Sequence, residues 1–70
     1  MKKYKLKHGG RVITNANVVR DVETLKIQYI DWSSAYEIDL EFGVEFTEDE
    51  KDFMINRYEN IEVFEVEQDG

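Results

Sequence analysis

The chain has 70 residues, with no cysteine, one histidine, nine basic and sixteen acidic side chains, and a formal net charge of −7. A chain this short buries a modest fraction of its surface, so residues 1–70 are expected to form a single domain with a thin core, to which a homodimer would add burial. The lack of cysteine excludes a disulfide framework and a thiolate metal site; no apolar run reaches a membrane span, and Met1-Lys2-Lys3 leads into Tyr4-Lys5-Leu6-Lys7, not an apolar signal core, so a cytoplasmic protein is expected.

Lys3, Lys5 and Lys7 alternate with Tyr4, Leu6 and His8, which predicts a first strand with a basic outer face. Gly9-Gly10 suits the positive φ angles of a tight hairpin, so Arg11 to Thr14 should return as a second strand. Asn15-Ala16-Asn17 reads as a further turn. Val18 to Thr24 fits either a helical turn through Val18, Val19 and Val22 or a valine-rich strand. Leu25, Ile27 and Tyr29 alternate with Lys26 and Gln28 in a third strand, closed by a turn at Asp31-Trp32-Ser33-Ser34.

From Tyr36 to Phe46 every even position is apolar and no odd one is. Tyr36, Ile38, Leu40, Phe42, Val44 and Phe46 share one parity; Glu37, Asp39, Glu41, Gly43 and Glu45 share the other. This pattern predicts a half-buried strand that shows water a ladder of carboxylates, with same-face neighbours roughly 6.6 to 6.8 Å apart. Thr47-Glu48-Asp49-Glu50 has the form of a capping box, and a helix should follow with Phe53, Met54, Tyr58 and Ile61 as its buried stripe. In the last run, Ile61 and Val63 are in one phase and Phe64 and Val66 in the other, so a β-bulge between Val63 and Phe64 would turn all four inward while Glu62, Glu65 and Glu67 face water. The tail Gln68-Asp69-Gly70 should fray. The expected fold is α+β: a small, largely antiparallel, twisted sheet of four to five strands packed against one α-helix in the C-terminal half.

Catalytic chemistry finds no foothold in this pattern. Most acids alternate with apolar residues or occupy the first turn of a helix, positions that favour ordinary, solvated carboxylates. His8 beside the glycine turn and Ser33-Ser34 in another turn form no triad, since no nucleophile-elbow glycine pattern accompanies them. One histidine without cysteine cannot make a zinc site, and residues 45–52 lack the Asp, Asn and Gly pattern of a calcium loop. No enzymatic activity, cofactor or metal is expected. Tyr4, Tyr29 and Tyr36 share the apolar parity of their strands, which argues for core and against a base-stacking surface; Trp32 is the exception. The net charge also opposes direct binding of nucleic acid.

Charge is divided along the chain. Residues 1–30 carry seven basic side chains against Asp21 and Glu23, whereas residues 31–70 carry fourteen acids against Lys51 and Arg57. Glu37, Asp39, Glu41, Glu45, Glu48, Asp49, Glu50 and Asp52 lie within sixteen residues, with Glu62, Glu65 and Glu67 as a second ridge. Solubility explains surface acids in general; this concentration points to an acidic surface that occupies the basic groove of a DNA-binding protein. The lysines of the first strand should lie apart from that surface. In size, acidity and lack of cysteine the chain resembles the early proteins that bacteriophages turn against host machinery, and is similar to the Bacillus phage DNA-mimic inhibitors of the nucleoid protein HU. The resemblance implies binding to the basic DNA-binding surface of HU and displacement of DNA from the nucleoid in the host bacterial cytoplasm. The alternative, from a different class, is a phage structural or assembly protein whose oppositely charged faces associate.

Overall fold

In the computed structural model, which describes residues 2–66, the N-terminal alternation becomes strand β1 (Lys3–His8). Gly9 and Gly10, at φ +56 and +81, close the hairpin to β2 (Arg11–Arg20). These are backbone angles that glycine adopts without steric cost. Strand β3 (Ile27–Ala35), helix α1 (Glu48–Arg57) and strand β4 (Ile61–Val66) follow. The four strands form one antiparallel sheet in the order β3-β2-β1-β4, so the domain is α+β with a single helix against the sheet.

Strand β2 runs straight through Asn15-Ala16-Asn17, where a turn is expected from composition. Asn15 and Asn17 point into solvent and Ala16 packs inward opposite Trp32, with the register shift between Ile13 and Asn15 restoring the inward phase. Asp31-Trp32-Ser33-Ser34 is likewise strand and not turn, paired with Asn17, Ala16, Asn15 and Ile13. Both corrections have one cause: cross-strand pairing along a long hairpin outweighs the local turn preference of Asn, Asp and Ser. Val18 to Arg20 are strand, and the hairpin loop occupies residues 21–26. Leu25 falls outside β3, and Tyr29, expected in the core, is half exposed. Trp32 turns inward instead, its ring edge-on to His8 at 5.1 Å and to Tyr58 at 5.2 Å.

Strand β4 has no bulge, for its register with β1 is unbroken from His8 opposite Ile61 to Lys3 opposite Val66. Its apolar residues therefore divide between the two faces of the sheet: Ile61 packs on the core, while Phe64 and Val66 stand beside Lys5 and Lys3. Val63 shares the phase of Leu6 yet stays exposed, because β4 is an edge strand.

Leu6, Ile13, Ile30, Phe46 and Met54 form the buried core between the sheet and α1, with Phe53, Tyr58 and Trp32 packed at its margin. Each fully buried large side chain here contributes roughly 1.5–3 kcal/mol relative to exposure. The helix begins as the sequence predicts. Thr47 and Glu50 form the capping box, the Thr47 N–H donating to the Glu50 carboxylate at 2.9 Å. It ends at Tyr58, whose N–H closes on the Met54 carbonyl at 3.0 Å.

Candidate functional site: an acidic loop and the helix start

The expected acidic strand does not form. Residues 36–45 make an irregular loop with one 3-10 turn at Leu40–Phe42, and only Phe46 enters a β-bridge, with Tyr4. Tyr36, Ile38 and Phe42, expected in the core, are exposed, and Leu40 is half-buried. The alternation finds no partner strand. β1 pairs with β4 along one edge and with β2 only at Lys7–Val12 and His8–Arg11, where the two strands begin to diverge. The end of the loop fills that gap: Val44 N–H donates to the Ile13 carbonyl at 3.0 Å, and Phe46 exchanges backbone hydrogen bonds with Tyr4 at 2.7 and 2.9 Å. The chain thus passes from the lysine-bearing face to the helix-bearing face, carrying Phe46 into the core.

This loop is held at several points. Phe42 N–H donates to Asp39 O at 3.0 Å, Gly43 N–H donates to Leu40 O at 2.9 Å, and Gly43 lies against Val12 so closely that a Cβ there would stand 3.0 Å from Val12 Cγ1. The Lys5 ammonium donates to the Glu41 carbonyl at 2.8 Å. Glu37, at φ 58, turns the chain after β3. Its carboxylates point outward: Glu37, Asp39, Glu41 and Glu45 are all exposed, and among the described residues no cation lies within 4.0 Å of any of them.

The helix start is different because its acids are largely engaged. Arg20 donates to Asp49 at 2.8 Å and lies 3.7 Å from Glu50; Lys51 lies 2.8 Å from Asp52 and 3.4 Å from Glu48. Hydrogen bonds from Thr47 and then Arg20 hold Asp49 below the ordinary carboxylate value, and the Tyr4 hydroxyl followed by Lys51 does the same for Glu48. The Lys51 ammonium is raised, chiefly by its bond to Asp52. On β4, Glu62 and Glu65 are exposed; Glu62 stands opposite Lys7, and Glu65 lies 3.7 Å from Lys2. Glu67 lies outside the described residues. The eleven acids singled out in the sequence therefore do not make one ridge. The four loop acids and Glu62 have no paired cation among the described residues, while Glu48, Asp49, Glu50, Asp52 and Glu65 have one.

Lys3, Lys5 and Lys7 are not across the molecule from the loop. They share the face it covers: Lys5 reaches Glu41 O, and Lys7 lies 5.6 Å over the Phe64 ring. Among the described residues no lysine comes within 4.0 Å of the Asp39 or Glu41 carboxylates. His8 is half-buried at the end of β1, with Arg11 Nη2 3.3 Å from its Nδ1, and Arg11 in turn stands 5.4 Å from the exposed Tyr36 ring. Arg20, Lys5 and Lys51 organise the acidic surface, and charge counting along the chain does not show which groups they reach. Among the described residues no three His, Asp or Glu side chains converge to hold a metal ion, and no helix is long and apolar enough to cross a membrane. Comparison with known proteins finds no matching family, no matching curated protein and no matching solved structure.

Proposed function

We propose that the chain is a non-enzymatic DNA mimic that binds the basic DNA-binding surface of a bacterial nucleoid-associated protein, with HU the preferred target, and so displaces DNA. The observation that supports this most is the Glu37–Glu45 loop. It presents four exposed carboxylates that have no paired cation among the described residues, on a backbone fixed by Lys5, Gly43, Val44 and Phe46. A basic groove gains affinity for DNA by displacing ions from closely spaced phosphates. Carboxylates carried on a held backbone meet such a groove with less ordering cost than a flexible acidic tail incurs. Residues 37–65 contain eleven acids against Lys51 and Arg57, which adds a long-range attraction that steers encounter with a basic partner. Self-association through oppositely charged faces is less favoured, since Lys5 lies on the same side of the sheet as the acidic loop, bonded to the Glu41 carbonyl, so the two signs of charge are not sorted onto opposite faces.

Purified HU provides the test. Light scattering should find a defined complex of the chain with HU, and adding duplex DNA should compete with it. A ternary species holding the chain, HU and DNA together would reject mimicry. Growth of the chain's own mass with concentration, and no complex with HU, would favour the assembly reading.

A further inference from the structure

The loop that follows β3 leaves and rejoins the sheet at one residue. Ala35, the last residue of β3, pairs with Val12, and Gly43 lies against the same Val12, where an added Cβ would stand 3.0 Å from Cγ1. Residues 36–42 therefore project as a closed loop with its ends together. Leu40 is half-buried, but Tyr36 and Phe42 are 65% and 66% exposed and Ile38 is 37% exposed. The backbone that carries them is tied by the Lys5 bond to Glu41 O and by the 3-10 turn, so these side chains are held in water and folding gains little from them. Single exposed apolar residues are ordinary on a protein surface; Tyr36, Ile38 and Phe42 together on one short loop mark a contact surface.

The charge interleaved with them decides the occupant. Glu37, Asp39 and Glu41 alternate with Tyr36, Ile38 and Phe42 and have no paired cation among the described residues. Nucleic acid and an anionic membrane surface are repelled there, and a purely apolar protein face would leave the carboxylates desolvated and unpaired. A lysine meets the carboxylates as a strongly hydrated point charge and stacks less readily on the rings. Arginine suits all three kinds of group: its guanidinium pairs with a carboxylate through two parallel N–H donors and lies on an aromatic face, while its methylene stem covers an aliphatic side chain. The fold already holds one such contact, the Arg11 guanidinium 5.4 Å from the centre of the Tyr36 ring. We propose that loop 36–42 receives an arginine-bearing segment of a partner protein and selects arginine over lysine through Tyr36 and Phe42. The proposal rests on the acidic loop as the contact surface of the DNA-mimic reading and adds the side chain that this surface selects.

The test is isothermal titration of the full chain with two synthetic peptides of equal length and charge, one alternating arginine with serine and one alternating lysine with serine. The arginine peptide should bind about fivefold tighter, the preference that two exposed aromatic contacts supply. Tyr36→Ser and Phe42→Ser together should bring the two peptides level by weakening the arginine peptide, with a urea midpoint near that of wild type because both rings are exposed. Phe42→Ser alone should remove part of the preference, and reads the same contact should loss of the Tyr36 ring disturb Arg11. Equal binding of both peptides by the wild-type chain, lost when Glu37, Asp39, Glu41 and Glu45 are neutralised, would reject arginine selection and leave the acidic decoy standing. A preference for arginine without any complex with HU would reject that target and leave the arginine contact standing. Binding of neither peptide would overturn the proposal, and a complex with HU in the same buffer would show that the mimic reading survives it. A mass that grows with concentration, and returns to that of a monomer in the doubly substituted chain, would assign the exposed rings to a second copy and overturn the proposal as well.

Discussion

The Tyr4 hydroxyl donates to Glu48 Oε2 at 2.6 Å, and the Lys51 ammonium stands 4.8 Å from the centre of the same ring. Strand β1 is thereby joined to the first turn of α1 through a tyrosine whose ring is buried and whose hydroxyl meets the acidic rim. The bond to Glu48 raises the Tyr4 pKa above its ordinary 10.0 and lowers that of Glu48 below 4.5.

Those shifts set a pH profile. Stability contributed by Glu48, with Asp21 and Asp49, is present above their ordinary values of 4.5, 3.8 and 3.8 and is lost as pH falls through their lowered folded values. Stability contributed by Tyr4 is present below 10.0, and that of Lys51 below 10.5; both are lost as pH rises through their raised folded values. Urea midpoints measured across pH should be level from about pH 5 to about pH 9 and fall on both sides. Tyr4→Phe should soften both limbs, the alkaline one keeping the part that Lys51 contributes. An unchanged profile in that variant would show that the Tyr4–Glu48 bond contributes nothing in solution.

Phe46 and Phe42 share a parity in the sequence and separate in the fold, one fully buried and one exposed. Phe46→Ala should cost about 3–5 kcal/mol, a large part of what a domain of this size has. Phe42→Ala should stay within about 0.5 kcal/mol of wild type. Urea melts distinguish them, and similar losses at the two positions would contradict the loop.

Gly43 is limited by space, not by its backbone angle, which any residue adopts. An added Cβ would stand 3.0 Å from Val12 Cγ1 and 3.1 Å from the Leu40 carbonyl. Gly43→Ala should therefore destabilise by about 1–3 kcal/mol, the usual cost of overpacking, and should speed amide hydrogen exchange at Val44. A variant as stable as wild type would mean that the loop is less closely seated on β2 than its contacts indicate.

What was legible in the sequence follows from how local the signal is. The Gly9-Gly10 hairpin, the alternation of β1 and the Thr47–Glu50 capping box are decided within a few residues, and each forms as read. Asn15-Ala16-Asn17 and Asp31-Trp32-Ser33-Ser34 misled because their turn propensity is local whereas their fate is set by pairing with each other. Tyr36–Phe46 misled more deeply. Period-two alternation states which residues could share a face, but a strand also needs a free neighbouring edge, and the gap between β1 and β2 admits only Val44 to Phe46. The acids of the candidate site were legible as a concentration of charge. Which of them Arg20 and Lys51 neutralise was not, because those contacts join Arg20 to the helix start across the fold and depend on helix phase at Lys51.

Neutralising Glu37, Asp39, Glu41 and Glu45 together as Gln or Asn should leave folding nearly intact, since exposed substitutions usually fall within about ±0.5 kcal/mol each. Binding to HU should fall sharply and lose much of its dependence on salt, because exposed charges are screened beyond a Debye length of about 8 Å at physiological ionic strength. Neutralising Asp49 and Asp52, whose charges Arg20 and Lys51 already offset, should have the smaller effect. Isothermal titration at two salt concentrations reads both. The reverse order would move the contact surface from the loop to the helix.

The most direct measurement is a titration of the isotopically labelled chain with unlabelled HU, following each backbone amide by NMR. The account predicts perturbations concentrated at residues 37–45, reversed when duplex DNA is added. Perturbations confined to Lys3, Lys5, Lys7 and their neighbours on β4, or no perturbation at all, would contradict it.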